Sequence, residues 1–320
     1  MMQFKLKNAK NACGVALVSV LLMLAIMVTL ISYMVESQYL SIRQANLQQF
    51  DELGLFENSQ AEQWGKNKLI KNDVEQGYES DHLGELWSNE RLDVSGEINK
   101  SASLYDIQSR FNLNNLSGQQ QSTWKLIFEN LLEILEIDKA VADTVVDWID
   151  QDQAITTIDG AEDSYYESLN PPRLAANQVL STIEELLLIK GIAEEVYITI
   201  LPYVSVLDEN DVKVNVNTAS EQLLQAIRKN PQNLNNSVSA AQFVIDRESQ
   251  PYISVDDVLE SDFFAGVENL NEIIDVKSQY FEMESLIDVH GFEKQFRTGI
   301  KRNVDTDKVV LSTIYRKRVL

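Results

Sequence analysis

Apolar positions change their rhythm three times along the chain. Val15 to Val35 is a run of 21 residues without a charged side chain. As a helix it would be roughly 31 Å long, about the hydrocarbon thickness of a bilayer. Beyond it, Val35, Tyr39, Ile42, Phe50, Leu53 and Phe56 recur at spacings compatible with one helical stripe, weakest at Asn46. The helix therefore continues past the apolar run, with Gly54 as an expected bend. Residues 60–100 lose the pattern and read as polar and turn-rich, with Gly65, Gly77, Gly84 and Gly96.

Short strands are expected in "ASLYDIQSRFNL", followed by a turn at "NLNNLSG". The rhythm then becomes helical. "STWKLIFENLLEILEIDKAVADTVVDWID" predicts two helices, the first capped by Ser122 or Thr123 and the second by Asp138. "STIEELLLIKGIAEEVYITILPYVSV" predicts two short helices around Gly191, with Ser181 and Glu184 as a capping box. Val212, Val214 and Val216 alternate like a strand before a helix that begins near Thr218 or Ser220. Helical patterns continue through "SAAQFVIDRESQ" and "SVDDVLES". The C-terminal segments "QYFEMESLIDV", "KQFRTGIKRN" and "DKVVLSTIYRKRVL" predict an antiparallel sheet. The fold class is α+β: a long N-terminal helix and small sheet, with a helical domain inserted.

Composition narrows the function. The formal charge of −22 over 320 residues opposes binding to nucleic-acid phosphates and favours basic partners or hard cations. One cysteine and two histidines leave little for thiol chemistry or zinc. No motif gives His82 or His290 an oriented partner, so an enzyme is not expected.

Lys5, Lys7 and Lys10 precede the apolar run, which places the leader in the cytoplasm and the bulk of the chain across the membrane. The run is too long for a cleaved secretory signal, and Cys13 precedes it where a lipoprotein cysteine would follow. An uncleaved signal anchor fits these residues. The basic leader ending in Gly14, followed at once by the helix, also resembles the class III signal of type IV pilins and type II secretion pseudopilins. The resemblance implies that a prepilin peptidase cuts between Gly14 and Val15 and methylates the new amine of Val15. Most members carry glutamate at the fifth mature position, where this chain has Ser19. In the family that glutamate neutralises a neighbour's N-terminal amine. A buried carboxylate without such a partner is costly, so Ser19 suits a subunit at the tip.

The order of segments is similar to that of the K-type minor pseudopilins of type II secretion. "GVALVSVLL", "DIQSRFNLNNL", "VVDWIDQDQ", "DGAEDSYYESL", "ANQVLSTIEELLLIKGI", "LPYVSV" and "VNVNTAS" carry the resemblance over nearly the whole chain. It implies a leader at 1–14, a transmembrane half-helix at 15–35 and a pilin-like helix with first strands at 36–116. A helical insertion at 117–211 (SAM-like or helix-hairpin-helix-like), a second helical segment at 212–270 and C-terminal strands at 271–320 complete it. The implied partners are I-type and J-type minor pseudopilins, the major pseudopilin, prepilin peptidase and the inner-membrane assembly platform. The implied place is a single pass of the inner membrane with a periplasmic C-terminal domain.

Asp147, Asp150, Asp152, Asp159, Glu162 and Asp163, with Glu167 nearby, are the densest carboxylate cluster. Calcium takes six to eight oxygen ligands from such flexible loops. The spacing is not that of an EF-hand, because Ala154 stands where a ligand belongs. From the residues alone, a solvated acidic loop with Asp147 facing a helix end is the plainer explanation. The resemblance implies calcium, with Asp150, Asp152, Asp159, Glu162 and Asp163 as the expected ligands. "ELLLIKGI" and "VNVNTASEQLL" resemble helix-hairpin-helix turns, but Glu184, Glu185, Glu194 and Glu195 surround a lone Lys190. Two rivals stay open: an anchored calcium-dependent binding protein unrelated to filaments, and a competence-type DNA-uptake protein.

Overall fold

The computed structural model describes residues 9–229, 238–305 and 308–319; residues 1–8 of the expected leader lie outside them. A single helix, α1, runs unbroken over Ala9–Gln76. It continues through Gly54 without a break, and through 60–76 where turns were expected. The reason lies in which residues it buries. Gly54, Asn58, Ala61, Glu62, Gly65, Leu69, Asn72 and Asp73 are buried at helical spacing. Half of this stripe is polar, so a hydrophobic pattern does not reveal it. Glu62 is the clearest case. It accepts from Arg316 Nε at 2.7 Å, Lys66 Nζ at 2.8 Å and Thr313 Oγ1 at 2.5 Å. At Gly54 a Cβ would stand 2.7 Å from Lys294 Cδ, so the glycine lets the sheet approach the helix.

That stripe packs on a five-stranded antiparallel sheet in sequential order. Its strands are β1 (Leu92–Val94), β2 (Ile98–Asp106), β3 (Tyr280–Val289), β4 (Phe292–Asp305) and β5 (Lys308–Val319). The last three form the C-terminal antiparallel sheet expected from their alternation. Ala61 and Leu69 of α1 meet Leu104, Phe281, Met283 and Ile300 in a small core.

Strands β2 and β3 are neighbours in the sheet, with Asp106 opposite Phe281. The chain leaves at the end of β2 and returns at the start of β3, so residues 107–279 form an insertion. Its main helices are α2 (Gln121–Ile134), α3 (Ala140–Ile149), α4 (Glu194–Ile200), α5 (Glu221–Arg228) and α6 (Ala240–Ser249). One core joins them, from Phe111 stacked on Phe128 at 5.2 Å to Phe243 stacked on Phe263 at 4.6 Å. Caps differ in detail from expectation. Helix α2 begins before Ser122 and Thr123, with no side-chain cap. The capping box uses Thr182 and Glu185, one residue later than Ser181 and Glu184. Only Val214–Asn215 of the expected 212–216 strand forms, because its partner there is the two-residue Ile274–Asp275. Asp138 does accept from Ala140 N at 3.0 Å, Gly191 ends its turn at φ +84°, and Ser220 caps α5.

The two ends of the insertion are tied to the sheet by buried polar groups. Asp106 Oδ2 accepts from Thr218 Oγ1 at 2.5 Å, Ser278 Oγ at 2.6 Å and Asn215 Nδ2 at 3.0 Å. Arg302 of β4 donates to Asp73 of α1 at 2.7 Å, to Asp81, and to the Ser278 carbonyl at 2.5 Å. Burial raises the carboxyls of both Asp106 and Asp73 to about 6.

Candidate cation site in the helical domain

Helix α3 points Val141, Val145 and Trp148 into the core and carries Asp143 and Asp147 on an adjoining face. Asp147 is fully buried. Its Oδ1 accepts from Thr156 N at 2.9 Å and its Oδ2 from Ala161 N at 2.7 Å. One carboxylate therefore folds the whole acidic loop back against the helix. Asp143 accepts from Thr157 Oγ1 at 2.7 Å on the same side. Lys190 closes the loop from below, donating to the carbonyls of Asp159 at 2.9 Å and Gly160 at 3.2 Å.

The fold gathers Asp147, Asp150 and Glu162, with one ligand oxygen from each lying within 4.8 Å of the others. Glu162 is 2% exposed, and neither of its carboxylate oxygens has a donor; Asp150 Oδ1 has none either. Buried carboxylate oxygens without partners are rare and costly. Burial first, then Asp150, Asp147, Asp152 and Asp163, push the Glu162 carboxyl up to about 7. Burial, then Asp152 and Asp147, push Asp150 up to about 6. A hard divalent cation would satisfy these oxygens and remove the repulsion, and an all-carboxylate donor set is the kind calcium takes. The residues fit calcium.

Of the five ligands expected from sequence, Asp150 and Glu162 are in this group. Asp152 and Asp163 are near enough to repel Glu162, but each already accepts from a backbone amide: Asp152 Oδ1 from Ala154 N at 2.8 Å, and Asp163 Oδ1 from Ala175 N at 2.9 Å. Asp159 is exposed and outside the group; its carbonyl accepts from Lys190. Asp147, read as facing a helix end, stands at the centre. Its spacing of three from Asp150 was the visible signal, since that spacing puts both on one helical face.

The lone Lys190 is spent on the loop and lies 5.1 Å from the Tyr165 ring centroid, so it is no phosphate anchor. At the other end of the molecule, Val15 to Val35 of α1 are exposed, and the helix is long and apolar enough to cross a membrane. Ser19 donates to the Ala16 carbonyl at 2.8 Å, satisfied within its own helix.

The family described as "Type II secretion system (T2SS), protein K" matches residues 109–209, the span from β2's exit through the acidic loop to the end of α4 and just beyond. Type II secretion system protein K of Pseudomonas aeruginosa is 31% identical over 312 residues, covering 91% of this chain and 89% of the relative. The chain belongs to the type II secretion system protein K family. The Aeromonas hydrophila member is 27% identical over 329 residues, covering 95% of this chain and 97% of that one. A chain in the crystal structure of the GspK-GspI-GspJ complex from enterotoxigenic Escherichia coli shares the fold, with a TM-score of 0.72 at 22% identity over 87% of this chain and 99% of that one. As a K-family member the protein is a minor pseudopilin of type II secretion. Membership in this family displaces both rivals, the filament-unrelated binding protein and the DNA-uptake protein.

Proposed function

We propose that this K-family pseudopilin caps the tip of the secretion pseudopilus and helps to nucleate it, acting by position and contact without turnover. In this reading prepilin peptidase cuts between Gly14 and Val15 and methylates Val15. The mature α1 then sits in the inner membrane and packs against the helices of I-type and J-type subunits, with the major pseudopilin below and the assembly platform at its base. The observation that carries the proposal is the mounting of a 107–279 insertion on a one-helix, one-sheet scaffold. A head of that bulk obstructs addition of a subunit above it. Ser19 supports the same place, because its hydroxyl is satisfied within its own helix and asks nothing of a neighbour. The solved relative is named as part of a complex with GspI and GspJ.

Calcium held by Asp147, Asp150 and Glu162 would order the acidic loop when bound; Asp152, Asp159 and Asp163 would be the nearby oxygen sources. The chain's own part is to aim those carboxylates, through the backbone amides of Thr156 and Ala161 on Asp147.

Two measurements test the tip reading. Mass spectrometry after co-expression with prepilin peptidase should give a chain beginning at methylated Val15. The chain should also co-purify with the I-type and J-type subunits from detergent. A product that keeps residues 1–14, or one that comes down alone, refutes the reading.

A further inference from the structure

The acidic loop carries two isoleucines on its outside. Ile155 is 52% exposed and Ile158 is 91% exposed. The loop that presents them is tied down. Thr156 N and Ala161 N bond to Asp147, Ala154 N bonds to Asp152 Oδ1, and Thr157 Oγ1 donates to Asp143. Lys190 holds the carbonyls of Asp159 and Gly160. Every one of these ties engages a polar group of the loop. On its inner side the loop is bound at Thr156 and Ala161 to Asp147, one of the three gathered carboxylates. Ile158 is left almost wholly in water and Ile155 about half so, although isoleucine is among the residues most often buried.

Charge states what could cover them. Asp152 and Asp159 flank the two isoleucines along the loop and are exposed. The nearby cation Lys190 is committed to the loop's own carbonyls. The whole chain is strongly acidic at −22. A partner that desolvates the isoleucines must bring positive charge to this rim, and complementary rims steer encounter.

We propose that Ile155 and Ile158 form a docking knob of the head, and that its occupant is a folded protein presenting an apolar pocket edged with lysine and arginine. The proposal rests on the tip reading, because a head at the tip is where such a partner can be met. It adds the contact that the head makes. Both isoleucines are exposed, so removing them leaves the fold intact and the docking can be tested alone.

The test uses the full chain in its own secretion system and reads a secreted enzyme in the culture medium, together with co-purification of the I-type and J-type subunits. Ile155→Ser with Ile158→Ser should lower secretion by about tenfold or more, the scale of two lost apolar contacts. Co-purification should not change. Ile155→Val with Ile158→Val should secrete nearly as wild type. At the exposed loop position Gln153, Gln153→Lys should lower secretion and Gln153→Glu should not. Wild-type secretion from the serine pair overturns the knob. So does a valine pair as defective as the serine pair, a Gln153→Lys variant that secretes as wild type, or loss of the I-type and J-type subunits along with secretion. If the wild-type chain itself fails to bring down those subunits, the tip reading falls and the knob falls with it.

Discussion

Asp147 occupies the space that a side chain on Gly160 would need: a Cβ there would stand 2.0 Å from Asp147 Oδ2. The glycine and the carboxylate are thus one device. It brings the loop's backbone close enough for Ala161 N to bond to the same oxygen. Gly160→Ala is expected to cost about 1–3 kcal/mol, the scale of a steric insertion into a packed site. It should also weaken the calcium response, because the carboxylate must move. Thermal unfolding with and without calcium checks both effects.

Glu162 separates the two readings of the acidic cluster. Its oxygens lack donors and its carboxyl is pushed up to about 7. Glu162→Gln removes a charge that is costly without a cation and useful with one. In chelator the variant should melt at or above wild type. In calcium, wild type should rise in Tm and the variant should not, because a ligand stabilises only the state that binds it. Equal calcium shifts in the two proteins would exclude this site.

Asp73 links stability to pH. Burial raises its carboxyl to about 6, against the pull of Arg302 and with Asp81 and Glu85 adding to the rise. An unfolded aspartate titrates near about 3.9. The folded chain therefore holds the proton more tightly. Its contribution to stability is fully present below about pH 4 and is lost as pH rises through about 6. Denaturant unfolding in chelator should show Asp73→Asn gaining on wild type as pH rises across that window. The comparison cancels the other carboxylates, including Glu62, which moves the opposite way. Burial would raise Glu62, but Arg316, Lys66 and Thr313 hold it at about 2.

Among the described residues, Arg302 is the cation paired with both Asp73 and Asp81, with Glu85 nearby, at the joint between sheet and head. Arg302→Met should destabilise by about 3–5 kcal/mol, because the carboxylates stay buried without their partner. Adding Asp73→Asn should recover part of the loss. A double-mutant cycle measures the coupling, and additive losses would show that the pair does not interact.

Some of this protein is legible from residue order alone. The charge-free run from Val15, the alternation of the C-terminal strands and the helical rhythm between them give the α+β class and the insertion. Those signals are local, set by the periods of helix and strand. The acidic cluster is equally visible as composition.

The rest depends on residues that meet only in the folded chain. Helix α1 extends to Gln76 because Glu62 and Asp73 find donors on strands far along the chain, while Asn72 donates to Glu85 and accepts from Leu86 N, which turns a polar stripe into a buried face. Asp147 rather than Asp159 belongs to the gathered carboxylates because the loop returns over α3 and places Glu162 beside it. A sequence lists which groups can ionise or hide. Which of them lose their water, and which find a partner when they do, is decided by long-range contacts that a local pattern does not contain.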